Sequence, residues 1–304
     1  MSYSLPASMR VFERGWLSAN NILFLEGEGA TLVDSGYHSH AAQTLALLRQ
    51  GLDGRQLRRL FITHAHSDHM GGNAALQAEY GCSITIPAGA ATAVAGWDAD
   101  ALMLSPLGQS APAFAYDSLI AAGSEVEMGG LTWRALAAPG HDMDALAYYC
   151  PEKRLLISGD ALWENGFGLI FPELQGLDGG LAGARATLEQ FGRLAIDCVI
   201  PGHGAPFTDV GPALERAGRR LDDLSQNAEK FAWHACKVLV AFVLQERQRL
   251  PSREFADFVR GISMVGCINR RSLGLEENAL VRRLFDDLQR SGALRREGEF
   301  LLAR

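Results

Sequence analysis

Thiolate chemistry has little material to work with in this sequence. Its five cysteines, Cys82, Cys150, Cys198, Cys236 and Cys267, are scattered, odd in number and nowhere spaced as Cys-x-x-Cys. Neither a disulfide framework nor a cysteine-ligated zinc site is expected. Long apolar runs are also missing: the longest, residues 235–244, falls far short of the roughly 20 residues that cross a bilayer and includes Lys237. The opening residues lack a basic stretch followed by an apolar one, so no secretion signal is expected, a cytoplasmic location is the default, and no membrane partner is foreseen. No internal repeat or low-complexity tract stands out. A chain that is 48% hydrophobic and 21% charged is not a disordered, collagen-like or coiled-coil sequence.

Charge is unevenly spread along the 304 residues. Through Val210 there are 11 basic against 22 acidic residues, and from Gly211 onward 17 basic against 13 acidic. This asymmetry predicts two units, 1–210 and 211–304. The positive excess of the second is too small for a nucleic-acid partner to be expected.

In the first unit, strand-like runs at 21–26, 30–33, 60–62, 83–86, 131–137, 145–150, 154–157 and 198–201 alternate with helical patterns at 40–52, 73–80 and 180–191. Strands interleaved with helices predict an α/β sandwich. The stretch 87–126 has no clean period. It reads either as a lid or as a surface excursion, with Trp97, Met103, Phe114 and Tyr116 as a pocket wall or a satellite core. The second unit reads as mainly helical: a long amphipathic run at 212–248, a helix at 253–260 with Ser252 as N-cap, another at 276–290, and a terminal hairpin at 293–303 turning at Gly298.

The chemistry is concentrated after the third strand, in Thr63-His64-Ala65-His66-Ser67-Asp68-His69-Met70-Gly71-Gly72. Three histidines and an aspartate so close together would each need a polar partner if buried, and a metal satisfies them together. Side chains alternate in an extended segment, so His64 and His66 share one side; past the turn, Asp68 and His69 can face a second position. His141 in Pro139-Gly140-His141-Asp142, Asp160 in Ser158-Gly159-Asp160 and His203 in Pro201-Gly202-His203-Gly204 each follow a strand and a glycine turn. Imidazole and carboxylate donors without thiolate suit zinc best, with manganese or iron as alternatives. His38, His40 and His234 lie outside these turns and are expected to be structural.

This five-part pattern resembles the metallo-β-lactamase superfamily, in order from about residue 20 to 207. The resemblance implies an αββα sandwich holding two divalent ions at one edge. His64, His66 and His141 would hold the first ion, Asp68, His69 and His203 the second, and Asp160 both. Asp34 matches a position that supports the ligands from behind; its alternative reading is a cap for the helix near His40. Two such ions lower the pKa of a shared water from about 15.7 toward neutrality, so hydrolysis through a bridging hydroxide is the implied reaction, with Asp68 orienting the nucleophile and moving its proton.

The tail resembles the winged-helix-like module of lactamase-β-like-2 type hydrolases, and glyoxalase II proteins also carry a C-terminal helical domain. A small acyl substrate is therefore expected, a thioester of glutathione or coenzyme A type ahead of a lactone or other ester. The alternatives are a nuclease or phosphodiesterase with a nucleic-acid-binding tail, a β-lactamase, and a catalytically quiet binding or regulatory protein. Trp163, Phe167 and Phe171, spaced by glycines after Asp160, either line an apolar pocket or pack against the sandwich. Arg270-Arg271, Arg282-Arg283 and Arg295-Arg296 are candidates for reaching an anionic substrate or simply solvated surface. A homo-oligomer is left open.

Overall fold

The structure, a computed structural model, describes residues 3–303, so residues 1, 2 and 304 of the two expected units lie outside the described part. Six strands form one sheet in sequence order: β1 (Met9–Phe12), β2 (Asn21–Glu26), β3 (Gly29–Val33), β4 (Gln56–Phe61), β5 (Ser83–Pro87) and β6 (Ser118–Ile120). A second sheet contains β7 (Glu125–Met128), β8 (Leu131–Ala137), β9 (Leu146–Cys150), β10 (Leu155–Gly159) and β11 (Cys198–Pro201), with β11 and β7 at its edges.

The described residues form twelve α-helices: α1 (Ala41–Gly51), α2 (Ser67–Met70), α3 (Asn73–Tyr80), α4 (Ala91–Gly96), α5 (Leu104–Leu107), α6 (Phe171–Gln175), α7 (Gly180–Gly192), α8 (Val210–Gln226), α9 (Ala228–Arg247), α10 (Phe255–Gly261), α11 (Ser263–Ile268) and α12 (Glu277–Ser291). None is long and apolar enough to cross a membrane. Helices α1 and α3 cover the outer face of the first sheet and α7 that of the second.

Three apolar layers follow from the strand periodicity. In β8, Leu131, Trp133 and Ala135 are buried while Thr132 and Arg134 are exposed, and the buried set meets Ile22, Phe24, Val33 and Phe61 of the first sheet in the layer between sheets. The other face of the first sheet packs on Leu48 of α1 and Leu76 of α3. The outer face of the second sheet packs on α7. β9, β10 and β11 are buried throughout because both of their faces are covered. This is the αββα sandwich expected from the sequence.

The helical layer beyond the second sheet does not stop at residue 210. Leu188 and Phe191 of α7 share one apolar cluster with Ala213, Ala217 and Leu221 of α8, Val240 and Leu244 of α9, and Leu284 of α12. The run expected as one helix at 212–248 is two helices, because the Asn227 side chain accepts from the backbone N–H of Lys230 and starts α9 anew. Ser252 does not cap its helix; its buried hydroxyl has no hydrogen-bond partner among the described residues. The terminal hairpin, β13 (Leu294–Glu297) and β14 (Phe300–Ala303), gains a third strand, β12 (Arg249–Pro251), beside β14. Helices with a small three-stranded sheet give the winged layout.

Stretch 87–126 divides between roles. Trp97 and Phe114 stack edge to face, centroids 5.6 Å apart, and with Tyr116 they join the apolar cluster on the outer face of the first sheet, so they form no separate satellite core. The pocket wall comes instead from Leu107 and Gln109.

Candidate metal centre

Strand ends build the site. β4 runs into the turn bearing His64 and His66, and α2 carries Asp68 and His69, with the His69 N–H donating to the His66 carbonyl at 3.0 Å. His141 follows β8, Asp160 follows β10, and His203 follows β11. A bulge in the parallel β10–β11 pairing, between Ile157 and Gly159, lets the Gly202 N–H donate to the Gly159 carbonyl at 2.8 Å and sets the two turns side by side.

All seven expected donors are buried or nearly so and fall into two groups. His64, His66 and His141 make one; Asp68, His69, Asp160 and His203 make the other; within each, one donor atom per residue lies within 4.8 Å of the rest. Asp160 spans both. Its Oδ2 is 3.6 Å from His141 Nε2, while its Oδ1 is 3.4 Å from His69 Nε2 and 3.8 Å from His203 Nε2. Asp68 Oδ2 lies 3.0 Å from His203 Nε2.

Hydrogen bonds behind the donors fix which ring nitrogen faces inward. His141 Nδ1 donates to the Leu169 carbonyl at 2.6 Å, and His69 Nδ1 to Asp34 Oδ2 at 2.8 Å, leaving Nε2 of both rings turned to the centre. Asp34 is therefore held by the cluster and not by a helix cap: it also accepts from the N–H and hydroxyl of Thr63, at 2.8 and 3.0 Å. The Nε2 atoms of His64 and His69 are buried without hydrogen-bond partners among the described residues. Inward lone pairs, orphaned nitrogens and one carboxylate between two groups fit a pair of divalent ions.

The electrostatics follow from this crowding. Burial, aided by the neighbouring rings of His69, His66 and His141, pushes His64 well below the usual histidine range. Burial also brings His66 and His141 down to about 4. His69 is the exception: burial alone would lower it, yet Asp34, Asp160 and Asp68 hold it well above the usual value. Burial would raise Asp160, but His203, His69 and His141 hold its carboxyl well below the ordinary range. At neutral pH the first group thus presents neutral imidazoles, the protonation state that binds metal.

Backbone without side chains is also part of this geometry. A Cβ on Gly202 would sit 2.2 Å from Asp160 Oδ1, and one on Gly168 would sit 2.4 Å from His141 Nδ1.

Three clefts meet the centre: one of about 440 Å³ beside His66 and His141, lined also by Met103 and Met143, and two adjoining ones that share Trp16, Trp163 and His203. The inner one, about 80 Å³, is bounded by His66, Asp68, His141, Asp160 and Phe171, with Phe242 of α9 and Gln109 also lining it. The outer one, about 560 Å³, is bounded by Trp16, Phe167, His203, Arg220 and His234. Trp163 lines both, and its indole N–H donates to Asp160 Oδ1 at 3.3 Å. Phe171 packs its ring 5.1 Å from His66 while facing the inner cleft, so it combines the two roles the sequence left open.

Other side chains depart from expectation. Trp16, 56% exposed and stacked 5.3 Å from the His203 ring, carried no local sequence signal. His234 lines the outer cleft in addition to packing in α9, and none of Arg270, Arg271, Arg282, Arg283, Arg295 and Arg296 lines either cleft. His38 and His40 do have structural partners, Glu246 at 3.1 Å and Ser18 at 2.9 Å.

The profile of the metallo-beta-lactamase superfamily matches residues 14–203. A hydroxyacylglutathione hydrolase of Rhodopseudomonas palustris (strain HaA2) is 33% identical over 131 residues, which is 43% of this chain and 43% of that protein, so the chain spans under half the length of this relative. A beta-lactamase domain protein from Burkholderia ambifaria shares the fold over 99% of this chain and 94% of its own, with TM-score 0.59 and 21% identity. A further solved protein, in a di-iron-bound form, aligns over 68% of this chain and 98% of its own at 27% identity and TM-score 0.54.

Proposed function

This chain belongs to the metallo-beta-lactamase superfamily, and on that premise we propose that it is a dinuclear metal-dependent hydrolase of a small acyl compound, a thioester ahead of a lactone or other ester. The observation that carries this reading is Asp160, whose two carboxylate oxygens face two separate donor groups. His64, His66 and His141 would hold one ion, Asp68, His69 and His203 the other, and Asp160 both. Zinc suits these donors best; the di-iron-bound relative keeps iron as the alternative. When bound, the ions supply Lewis acidity to a water and to the scissile carbonyl.

The chain's own groups do the rest. Asp68 is held ionised: burial would raise its pKa, but the His69 charge and the His203 hydrogen bond bring it below the ordinary value. On the inner cleft wall it orients the attacking water and accepts its proton. Asp34 accepts from Nδ1 of His69 and so orients the ring with Nε2 inward. Phe171, Phe242 and Leu239 exclude bulk water around the acyl group. The named hydrolase activity of the R. palustris relative supports the thioester.

Residues 1–210 carry every donor in this scheme, and 211–304 form a module that roofs the clefts through α8 and α9. The test is a panel of thioesters, lactones, phosphodiesters and β-lactams on metal-loaded protein. Thioester turnover that disappears with chelation and returns with zinc or iron is the expected result; phosphodiester cleavage without thioester turnover overturns it.

A further inference from the structure

Arg220 of α8 is a partly buried cation with no acidic partner. Among the described residues no carboxylate lies within 4.0 Å of its guanidinium. Its contacts are uncharged: Nη2 is 3.1 Å from His234 Nε2, and the guanidinium carbon lies 5.1 Å from the Phe167 ring centroid. Burial lowers Arg220 from its usual value, and burial with the Arg220 and Lys237 charges brings His234 down to about 4. His234 is therefore neutral at pH 7 and accepts from Arg220. Holding a guanidinium out of water beside neutral groups costs free energy that an anion would return.

The surroundings aim this cation. The turn at Gly166 runs so close that a Cβ there would meet Arg220 Nη1 at 2.4 Å. Arg220 lines the same cleft as His203, with Trp16, Trp163 and Phe167 between them as an apolar path. The inner cleft, about 80 Å³, has room for a small acyl group only, so the rest of a substrate extends beyond it; the outer cleft of about 560 Å³ offers that room beside an arginine, whereas the cleft of about 440 Å³ on the far side of His66 and His141 is lined by Asp98, Asp142, Asp144 and Asp178 and by no arginine or lysine. Glu13 and Glu164 also line the outer cleft, beyond ion-pair distance of Arg220. Arg14 lines this cleft as well, but its guanidinium is engaged by the side-chain oxygens of Asn21, Thr44 and Gln43. Arg220 is then the lining arginine without an oxygen partner among the described residues, and with two carboxylates nearby it fits a single docked carboxylate and disfavours a polyphosphate arm.

We propose that the outer cleft is a subsite for a carboxylate on the leaving-group arm of the substrate, held by Arg220, which selects carboxylate-bearing thiol esters over neutral or polyphosphate-bearing ones. This rests on the acyl-hydrolase reading, so the test includes a measurement independent of turnover.

On the metal-loaded full chain, kcat/KM is compared for S-acetyl-3-mercaptopropionate, S-acetyl-2-mercaptoethanol and acetyl-coenzyme A. The carboxylate probe is expected to lead each of the others by roughly 10–100-fold, mostly through KM. Arg220→Gln should bring the first ratio toward one. Gly166→Ala keeps the charge but displaces it, and should lower the ratio as well, which covers the case in which Arg220→Gln fails to fold. In parallel, glutarate binding is read from the fluorescence of the cleft tryptophans. Saturable binding by the wild type that weakens at least tenfold in Arg220→Gln supports the subsite even if no thioester turns over, in which case only the hydrolase reading falls. Equal glutarate binding by both proteins, or a wild-type preference for the neutral or coenzyme A probe, overturns the proposal.

Discussion

His69 donates its Nδ1 proton to Oδ2 of Asp34 across 2.8 Å, and Asp34 makes this bond from a left-handed backbone, φ 59°. A non-glycine residue there carries strain unless its side chain is tied down, and Thr63 ties it with two further hydrogen bonds. Asp34→Asn retains the size and tolerates the backbone but loses the charge and the acceptor pattern. Affinity for the ion at His69 should fall by roughly 10–100-fold. Competition with a chromophoric chelator measures it; an unchanged affinity would show that Asp34 does not orient His69 for the ion.

Removing the shared carboxylate should be more severe. Asp160→Ala is expected to lower the metal content of purified protein from near two per chain to one or fewer, and activity by more than the roughly 100-fold that losing a supporting group costs. Elemental analysis alongside turnover decides this, and two retained ions would remove Asp160 from the bridging role.

The continuous apolar cluster between α7 and α8 predicts strong dependence of the first 210 residues on the remainder. Leu221 is 1% exposed in that cluster. Leu221→Ala should cost about 2–5 kcal/mol in denaturant unfolding, in the same transition that reports the metal-bearing sheets. A chain ending at Val210 should bind hydrophobic dyes and lose cooperative unfolding. A sharp, unshifted transition in that truncated chain would make the two units independent.

His234 sets a pH signature. Its folded value is about 4 against 6.5 when unperturbed. As pH falls from 6.5 toward 4 the unfolded chain takes up a proton that the folded His234 refuses, so stability present above pH 6.5 is lost through that window. His234→Gln removes this contribution, and the stability difference between wild type and variant should shift in favour of the variant on going from pH 7 to pH 5. Denaturation curves at the two pH values test it; a constant difference would mean that His234 titrates normally.

The residues gathered into the two candidate donor groups were legible because each sits in a short strand-then-turn segment, where type and spacing alone restrict the chemistry. His64, His66, Asp68 and His69 needed no knowledge of what packs where. Trp16, Gln109, Arg220 and Phe242 were not legible, since each reaches the clefts from a distant segment and nothing in its neighbours marks it. Asn227 shows a third case. The apolar spacing continues through it, so the run reads as one helix, while one side-chain bond to the Lys230 N–H divides it. β6 and β7 escaped because three- and four-residue edge strands carry too little alternation to register.

The close approach of Gly202 to Asp160 and of Gly168 to His141 means that this centre can be disabled with every donor still in place. Alanine at either position adds one methyl group where a carboxylate oxygen or a ring nitrogen already lies, and the donor must yield. A catalogue of ligand side chains would score such a variant as intact. The vulnerability of the centre to substitution therefore extends to positions that contribute no functional group at all, and whose only property is to be small.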